Sequence, residues 1–338
     1  MGSSGKAPSF SRPRTPPFTA ITGVRIPLGT PRFKIEAKAG PDLRSLLPNT
    51  LLMIYSWLCY GQAAKPSGEE SLASLLDRAG KNDPQAEYML GRLYVYGSGV
   101  RQDFAEAVRW YRKAADQGYA DAENGLGFLY DNGQGVPLDH TEAARLYRKA
   151  AEQGSGDAEF NLGSLYDTGQ GVRQDHAEAA RWYQRAAEHG DTDAAFDLGV
   201  MYEDGQGVAR DYAQAARWYR KAAEREVPVA QTALGNLYMN GRGVSLDPAE
   251  AVRWYRKAAE RGQAAALYGL GAAFSEGRGV PRDEVEGLMW MDLAVFRARG
   301  RLREKYVAER GVVAKKMSSE QIAEAERWEL EWKTKWAP

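Results

Sequence analysis

Cysteine is almost missing from this sequence: Cys59 is the only one in 338 residues. That excludes an intramolecular disulfide framework and any multi-cysteine zinc or iron–sulfur centre. Histidine is nearly as scarce, limited to His140, His176 and His189. Net charge is also absent, with 45 basic against 45 acidic residues. The balance conceals an asymmetry, because residues 1–66 hold nine Lys/Arg and two Asp/Glu, leaving 36 basic against 43 acidic in the remainder. An acidic body repels phosphate, and no dense basic patch offsets it, so nucleic-acid binding is not expected. The motifs G-x-x-x-x-G-K-[ST], H-E-x-x-H and G-x-S-x-G do not occur, and no cofactor, metal or catalytic residue is assigned. What is present suits a packed core: 43% of residues are hydrophobic and 11% aromatic, which argues for a mainly folded chain.

Residues 1–44 contain seven prolines and scattered Arg and Lys without a sustained apolar period, and read as a disordered leader. Between Arg44 and Lys65 lies an uncharged stretch with the apolar run Leu51–Tyr60, short for a membrane span, followed by Gly61, Gln62, Ala63 and Ala64. A basic residue, a short apolar segment and small residues before a cleavage point are the parts of a secretory signal, so 45–64 is expected to direct export. The leader ahead of it is longer than a signal normally carries; translation from Leu43 would remove that difficulty. The competing readings are a helix over 46–60 packed on the first repeat and a retained anchor that keeps the protein near a membrane.

From residue 83 the chain repeats with a period of 36. Gly-x-Gly-Val recurs at Gly97, Gly133, Gly169, Gly205, Gly241 and Gly277, and Trp at Trp110, Trp182, Trp218, Trp254 and Trp290, with Leu146 in the one missing slot. Six units fill 83–298. In each, a first helix carries apolar residues at i, i+4, i+7 and i+8, as in Ala158, Leu162, Leu165 and Tyr166. Gly163 and its five equivalents interrupt that stripe. Glycine costs a helix about 1 kcal/mol relative to alanine, so its recurrence predicts a neighbour too close for a methyl group. The first glycine of Gly-x-Gly-Val ends the helix. Asp103, Asp139, Asp175, Asp211, Asp247 and Asp283, each three residues before Glu or Gln, predict a reciprocal capping box for the second helix. That helix buries Ala, Trp, Tyr, Ala and Ala, as in Ala179, Trp182, Tyr183, Ala186 and Ala187, and turns Arg181 and Arg185 outward.

The unit A-x-x-x-L-G-x-L-Y-x-x-G-x-G-V-x-x-D-x-x-E-A-x-R-W-Y-R-K-A-A closely resembles the Sel-1-like repeat, a relative of the tetratricopeptide repeat. The resemblance implies an all-α, right-handed α-solenoid of helix-turn-helix units that serves as a scaffold or adaptor for other proteins, often at membranes, in secretion or in signalling. Some members carry one disulfide per repeat and are linked to β-lactam binding; the repeats here have no cysteine, so those traits do not transfer.

Both ends of the array read as caps. Residues 65–82 include a stretch, Glu69–Ala79, that aligns with a second helix of a degenerate unit. In the last repeat, Met289 and Leu293 replace the usual Arg and Lys, so an apolar surface should cover them. Residues 299–338 supply it. Met317 to Ile322 form a capping box, Ser318 with Gln321, and a hydrophobic staple, opening a helix that bears Ile322, Trp328, Trp332 and Trp336; the competing reading of these tryptophans is a partner-binding aromatic face.

The Gly-x-Gly segments lack the third glycine and preceding strand of a nucleotide fingerprint. His140 and His176 follow capping aspartates and read as solvated first-turn residues. The slots that differ between repeats are more informative. Three of them share one face of each first helix: Tyr88, Arg92 and Val95; Asn124, Phe128 and Asp131; Phe160, Ser164 and Asp167; Phe196, Val200 and Glu203; Thr232, Asn236 and Met239; Tyr268, Ala272 and Ser275. In related solenoids the first helices line the concave surface. This face is therefore expected to be a groove for a protein or peptide, with an aromatic strip and an acidic middle that favours a basic ligand. The competing reading is that these aromatics pack on neighbouring helices. A different class of function would be a cell-envelope factor contacting peptidoglycan or exopolysaccharide, including a weak hydrolase, since aromatics beside carboxylates also suit sugars.

Overall fold

The computed structural model describes residues 71–336. The expected leader (1–44), the expected export signal (45–64) and the start of the first cap lie outside the described residues. Among the described residues there are fifteen helices and no strand. We number them α1 (Leu72–Gly80), α2 (Pro84–Tyr96), α3 (Phe104–Asp116), α4 (Ala120–Asn132), α5 (His140–Glu152), α6 (Gly156–Thr168), α7 (His176–Glu188), α8 (Thr192–Asp204), α9 (Tyr212–Glu224), α10 (Pro228–Asn240), α11 (Pro248–Glu260), α12 (Ala264–Glu276), α13 (Glu284–Arg297), α14 (Gly300–Ala314) and α15 (Ser319–Trp336). From α1 to α14 each packs on its neighbour in the chain, and α15 returns to α13. The result is the expected α-solenoid, with α2/α3 through α12/α13 as its six helix pairs.

The recurrent glycine of each first helix abuts a side chain. A Cβ on Gly127 would lie 2.9 Å from the Tyr147 ring, and one on Gly163 2.8 Å from the Tyr183 ring. The expected close neighbour is thus the tyrosine of the paired helix. In the last pair, Met291 and the backbone at Gly287 take that place.

The first glycine of Gly-x-Gly closes the helix in the left-handed conformation, with φ of 73° at Gly169 and 72° at Gly205. The second has a separate task. A Cβ on Gly171 would collide with the backbone at His140, and one on Gly207 with the backbone at His176. This glycine seats each repeat on the second helix of the one before.

The aspartate caps are one-sided. Asp139 accepts from the backbone N–H of Glu142 at 3.0 Å, and Asp175 from that of Glu178 at 3.0 Å. The reciprocal half does not form because the aspartate's own N–H is already used: Asp139 donates to the carbonyl of Tyr130 and Asp175 to that of Tyr166. The glutamates instead bind Arg145 and Arg181, one turn on.

Repeat-to-repeat packing uses the Trp slot. Leu146 joins the core of α3 and α4, Trp182 that of α5 and α6, and Trp254 that of α9 and α10. The basic residues of these helices do not all face away: Lys113 lies over the Trp110 ring, Arg185 over Trp182 and Lys257 over Trp254, with 4.2, 4.6 and 4.2 Å to the centroids.

At the N-terminal end, Leu75 and Ala79 of α1 are buried with Ala86 and Leu90. At the other end, Met289 and Leu293 share a core with Met317, Ile322, Trp328 and Trp332. Trp332 meets Trp290 edge-on, with centroids 6.1 Å apart. Here the capping box is reciprocal: Ser318 N–H donates to Gln321 and Gln321 N–H to the Ser318 hydroxyl. The Trp336 side chain lies outside the described ones.

Candidate protein-interaction face

Helical spacing puts the variable slots of each first helix on one side. The structure places all of them but Asn236 on a partly or fully covered surface, because the second-helix tyrosines push between neighbouring first helices and form the floor. Tyr88 stacks on Tyr111 with Arg92 over its ring. Phe160 and Phe196 tilt against Tyr183 and Tyr219, each with centroids 5.6 Å apart. Tyr219 donates to Glu203 at 2.8 Å, Tyr255 donates to Asn236 at 2.6 Å, and the Tyr183 hydroxyl bonds with Ser164. Asn161 donates to Asn124 across the repeat boundary at 3.0 Å. Phe128 and Val200 are half-buried against the core, Asn236 is exposed, and Val95, Thr232 and Met239 are buried. Most of the sequence-predicted residues thus form one half-buried face, with Tyr88, Phe160 and Phe196 packed on the tyrosines of the paired helices.

Two carboxylates of the expected acidic middle are engaged by histidines. His140 sits 2.7 Å from Asp131, and His176 2.7 Å from Asp167, so neither histidine is simply solvated. Burial raises the Asp131 pKa, against the opposing effect of His140.

The strongest acidic feature is one that the three-slot pattern missed. Helices α4, α6 and α8 contain ten Asp and Glu and no Lys or Arg, whereas α10 and α12 contain Glu276 alone. Neither Asp193 nor Asp197 is in an ion pair among the described residues. Burial, together with Asp193, Asp167 and Asp191, pushes Asp197 up to about 7. Burial chiefly pushes Asp191 to about 6, opposed by the Ala194 N–H it accepts. The signal was the recurrence of aspartate at 121, 157 and 193, one slot outside the three compared.

Buried carboxylates were also missed. Glu87, Glu123 and Glu159 occupy one slot in the first three pairs, and are held by Gln117 at 2.6 Å, Gln153 at 2.6 Å and His189 at 2.8 Å. Arg185 lies 2.8 Å from Glu159 as well. Gln117, Gln153 and His189 each come from thirty residues further on, at the end of the paired helix.

The face ends in a cavity of about 300 Å³ between α10, α11, α12 and α14. Tyr306 of α14 closes it, stacked on Tyr268 with centroids 4.6 Å apart and planes 5° from parallel. The Tyr268 hydroxyl donates to Glu309. Met239, Tyr255 and Ala272 form the walls, with Arg278 and Lys305 also on the lining. Sequence reasoning assigned the tail to the outer surface only, so α14's share of this face was not foreseen.

The model of the Sel1 repeat matches residues 84–119, 120–155, 156–191, 192–227, 228–263 and 264–295. The chain belongs to the Sel1 repeat family. Among solved structures, a Sel1 repeat protein from Oxalobacter formigenes is 41% identical with a TM-score of 0.57, covering 64% of this chain and 89% of its own. The protein c5321, a protective antigen present in uropathogenic Escherichia coli strains and displaying an SLR fold, is 25% identical with a TM-score of 0.52 over 79% of this chain and 87% of its own. No curated protein matches the sequence. Sel1 repeat proteins generally bind protein partners.

Proposed function

We propose that this Sel1 repeat protein is a non-catalytic scaffold that holds a protein or peptide along the face of its first helices, the concave side of the solenoid. One observation carries this reading. The framework slots repeat from unit to unit, while α4, α6 and α8 carry eight acidic residues besides the buried Glu123 and Glu159, and no basic one, a bias that core packing does not require. Charge of one sign speeds encounter with a basic partner, and half-buried aromatics supply anchors. The partner is to be captured from extracts of the native host and identified by mass spectrometry. Its affinity is then measured for Phe128/Phe160/Phe196→Ala and Asp131/Asp167/Glu203→Lys variants whose fold is checked by circular dichroism. Loss of at least tenfold in either supports the face. Wild-type affinity and salt dependence in both would move the interaction elsewhere.

The reading includes export, on the strength of the apolar segment before Ala64. Mature protein from the native host should begin near Ala64 or Lys65. Recovery of intact residues 1–60 from the cytosol would oppose it. Among the described residues, no helix is long and apolar enough to cross a membrane.

A further inference from the structure

Resting on that reading, we infer that the partner is an extended segment of mixed polarity: lysine or arginine over α6 and α8, and, about six residues away, a bulky apolar residue beside a carboxylate, seated in the cavity under α14. The charge pattern and cavity together carry the argument.

The middle of the face needs positive charge. Asp193 and Asp197 face it without a cation of their own, and Phe160 and Phe196 flank them as half-buried aromatic walls. A partner's ammonium or guanidinium would neutralise these carboxylates and lie against the rings.

The cavity end has the opposite character. Its walls are aromatic and aliphatic, its volume of about 300 Å³ suits a large apolar side chain, and the Tyr268–Tyr306 stack closes one side. Arg278 and Lys305 line it, each loosely opposed by one carboxylate, Glu276 and Glu309. Lys305 is 60% exposed, with its nearest carboxylate, Glu309, at 4.0 Å. Arg278 keeps only a 3.8 Å contact with Glu276 and a hydrogen bond to the Met239 carbonyl. Both cations are held loosely enough to take a partner's carboxylate, which a second basic residue cannot supply.

Spacing follows from the helices. From α8 to α12 is two first-helix steps of roughly 10 Å each, and an extended chain advances about 3.3–3.6 Å per residue. Six residues therefore bridge the two sites. A helix advances 1.5 Å per residue and would need about twice as many.

The test uses the full chain and a labelled synthetic peptide with two lysines at one end, a neutral serine–glycine spacer, and leucine–glutamate at the other end. Binding is read by fluorescence anisotropy. We expect saturable binding that weakens at least tenfold with Asp193→Asn/Asp197→Asn and with Ala272→Trp, which fills the cavity, each variant being folded by circular dichroism. Lys305→Glu should weaken binding too, and a peptide with lysine in place of its glutamate should restore it. Three results overturn the inference: binding no stronger than that of an uncharged control peptide, equal binding when the lysines are moved next to the leucine, or indifference to both Ala272→Trp and Lys305→Glu. If any of these occurs while the natural partner still loses affinity in the Phe128/Phe160/Phe196→Ala variant, the face remains a binding surface and only this partner chemistry is wrong.

Discussion

A Cβ added to Gly163 would stand 2.8 Å from Cδ1 of Tyr183, a buried ring that presses on the helix where the sequence has a glycine. The ring cannot swing away, because its hydroxyl end meets Ser164 and its face meets Phe160. Gly163→Leu should therefore destabilise the protein by about 1–3 kcal/mol, as overpacking does. Urea denaturation measures it, and wild-type stability would show that the tyrosine yields.

The second glycine of Gly-x-Gly offers a built-in control. Gly171 and Gly99 occupy the same slot with φ of 66° and 74°, so alanine at either incurs roughly 1–2 kcal/mol of left-handed strain. Only Gly171 also faces the backbone at His140; Gly99 has open space. Gly171→Ala should lower the melting temperature clearly more than Gly99→Ala. Equal losses would mean that the inter-repeat approach carries no weight.

Glu159 is fully buried, while its partners Arg185 and His189 are 44% and 51% exposed. Removing the carboxylate leaves cations that water can solvate, and Leu267 fills the same slot in the last repeat. Glu159→Leu should be near neutral, within about 1 kcal/mol. An Arg185→Ala/His189→Ala variant strands a buried charge and should cost on the order of 3 kcal/mol. The opposite ranking in denaturant melts would refute this account.

Asp191 and Asp197 set a pH dependence. Their folded pKa values, about 6 and about 7, lie above the unfolded value near 3.9. Between pH 4 and 7 the folded state therefore holds more protons, and stability falls as pH rises. Melting should be higher at pH 5 than at pH 8, and Asp197→Asn should raise stability at pH 8 by on the order of 1 kcal/mol while flattening the profile. A wild-type profile that rises with pH would contradict the sign.

Deleting residues 317–338 should expose Met289 and Leu293. At about 25 cal/mol per Å² of apolar surface, the loss should lower the melting temperature or drive self-association, visible by light scattering. An unchanged monomer with unchanged melting would show that α15 contributes little.

Periodicity made the fold readable, because each slot is sampled six times and its tolerated residues reveal its neighbours. Trp182 in a row of tryptophans, or Gly163 in a row of glycines, announces packing without any structure. The face was read less well for the same reason. Glu159 looks like an ordinary surface residue until His189, thirty positions later, is folded against it. Tyr306 lies in a segment with no repeat register at all, so nothing in the sequence aligned it with Tyr268.

The seating of Gly171 on His140, repeated at Gly207 on His176, makes each unit a cassette with a plug on one side and a matching socket on the other. A 36-residue segment spliced in frame between α9 and α10 would find both. Such insertion would lengthen the row of first helices by roughly 10 Å without new joinery. Only the termini are unique pieces, α1 at one end and α14 with α15 at the other, so any change in the number of units must happen between them.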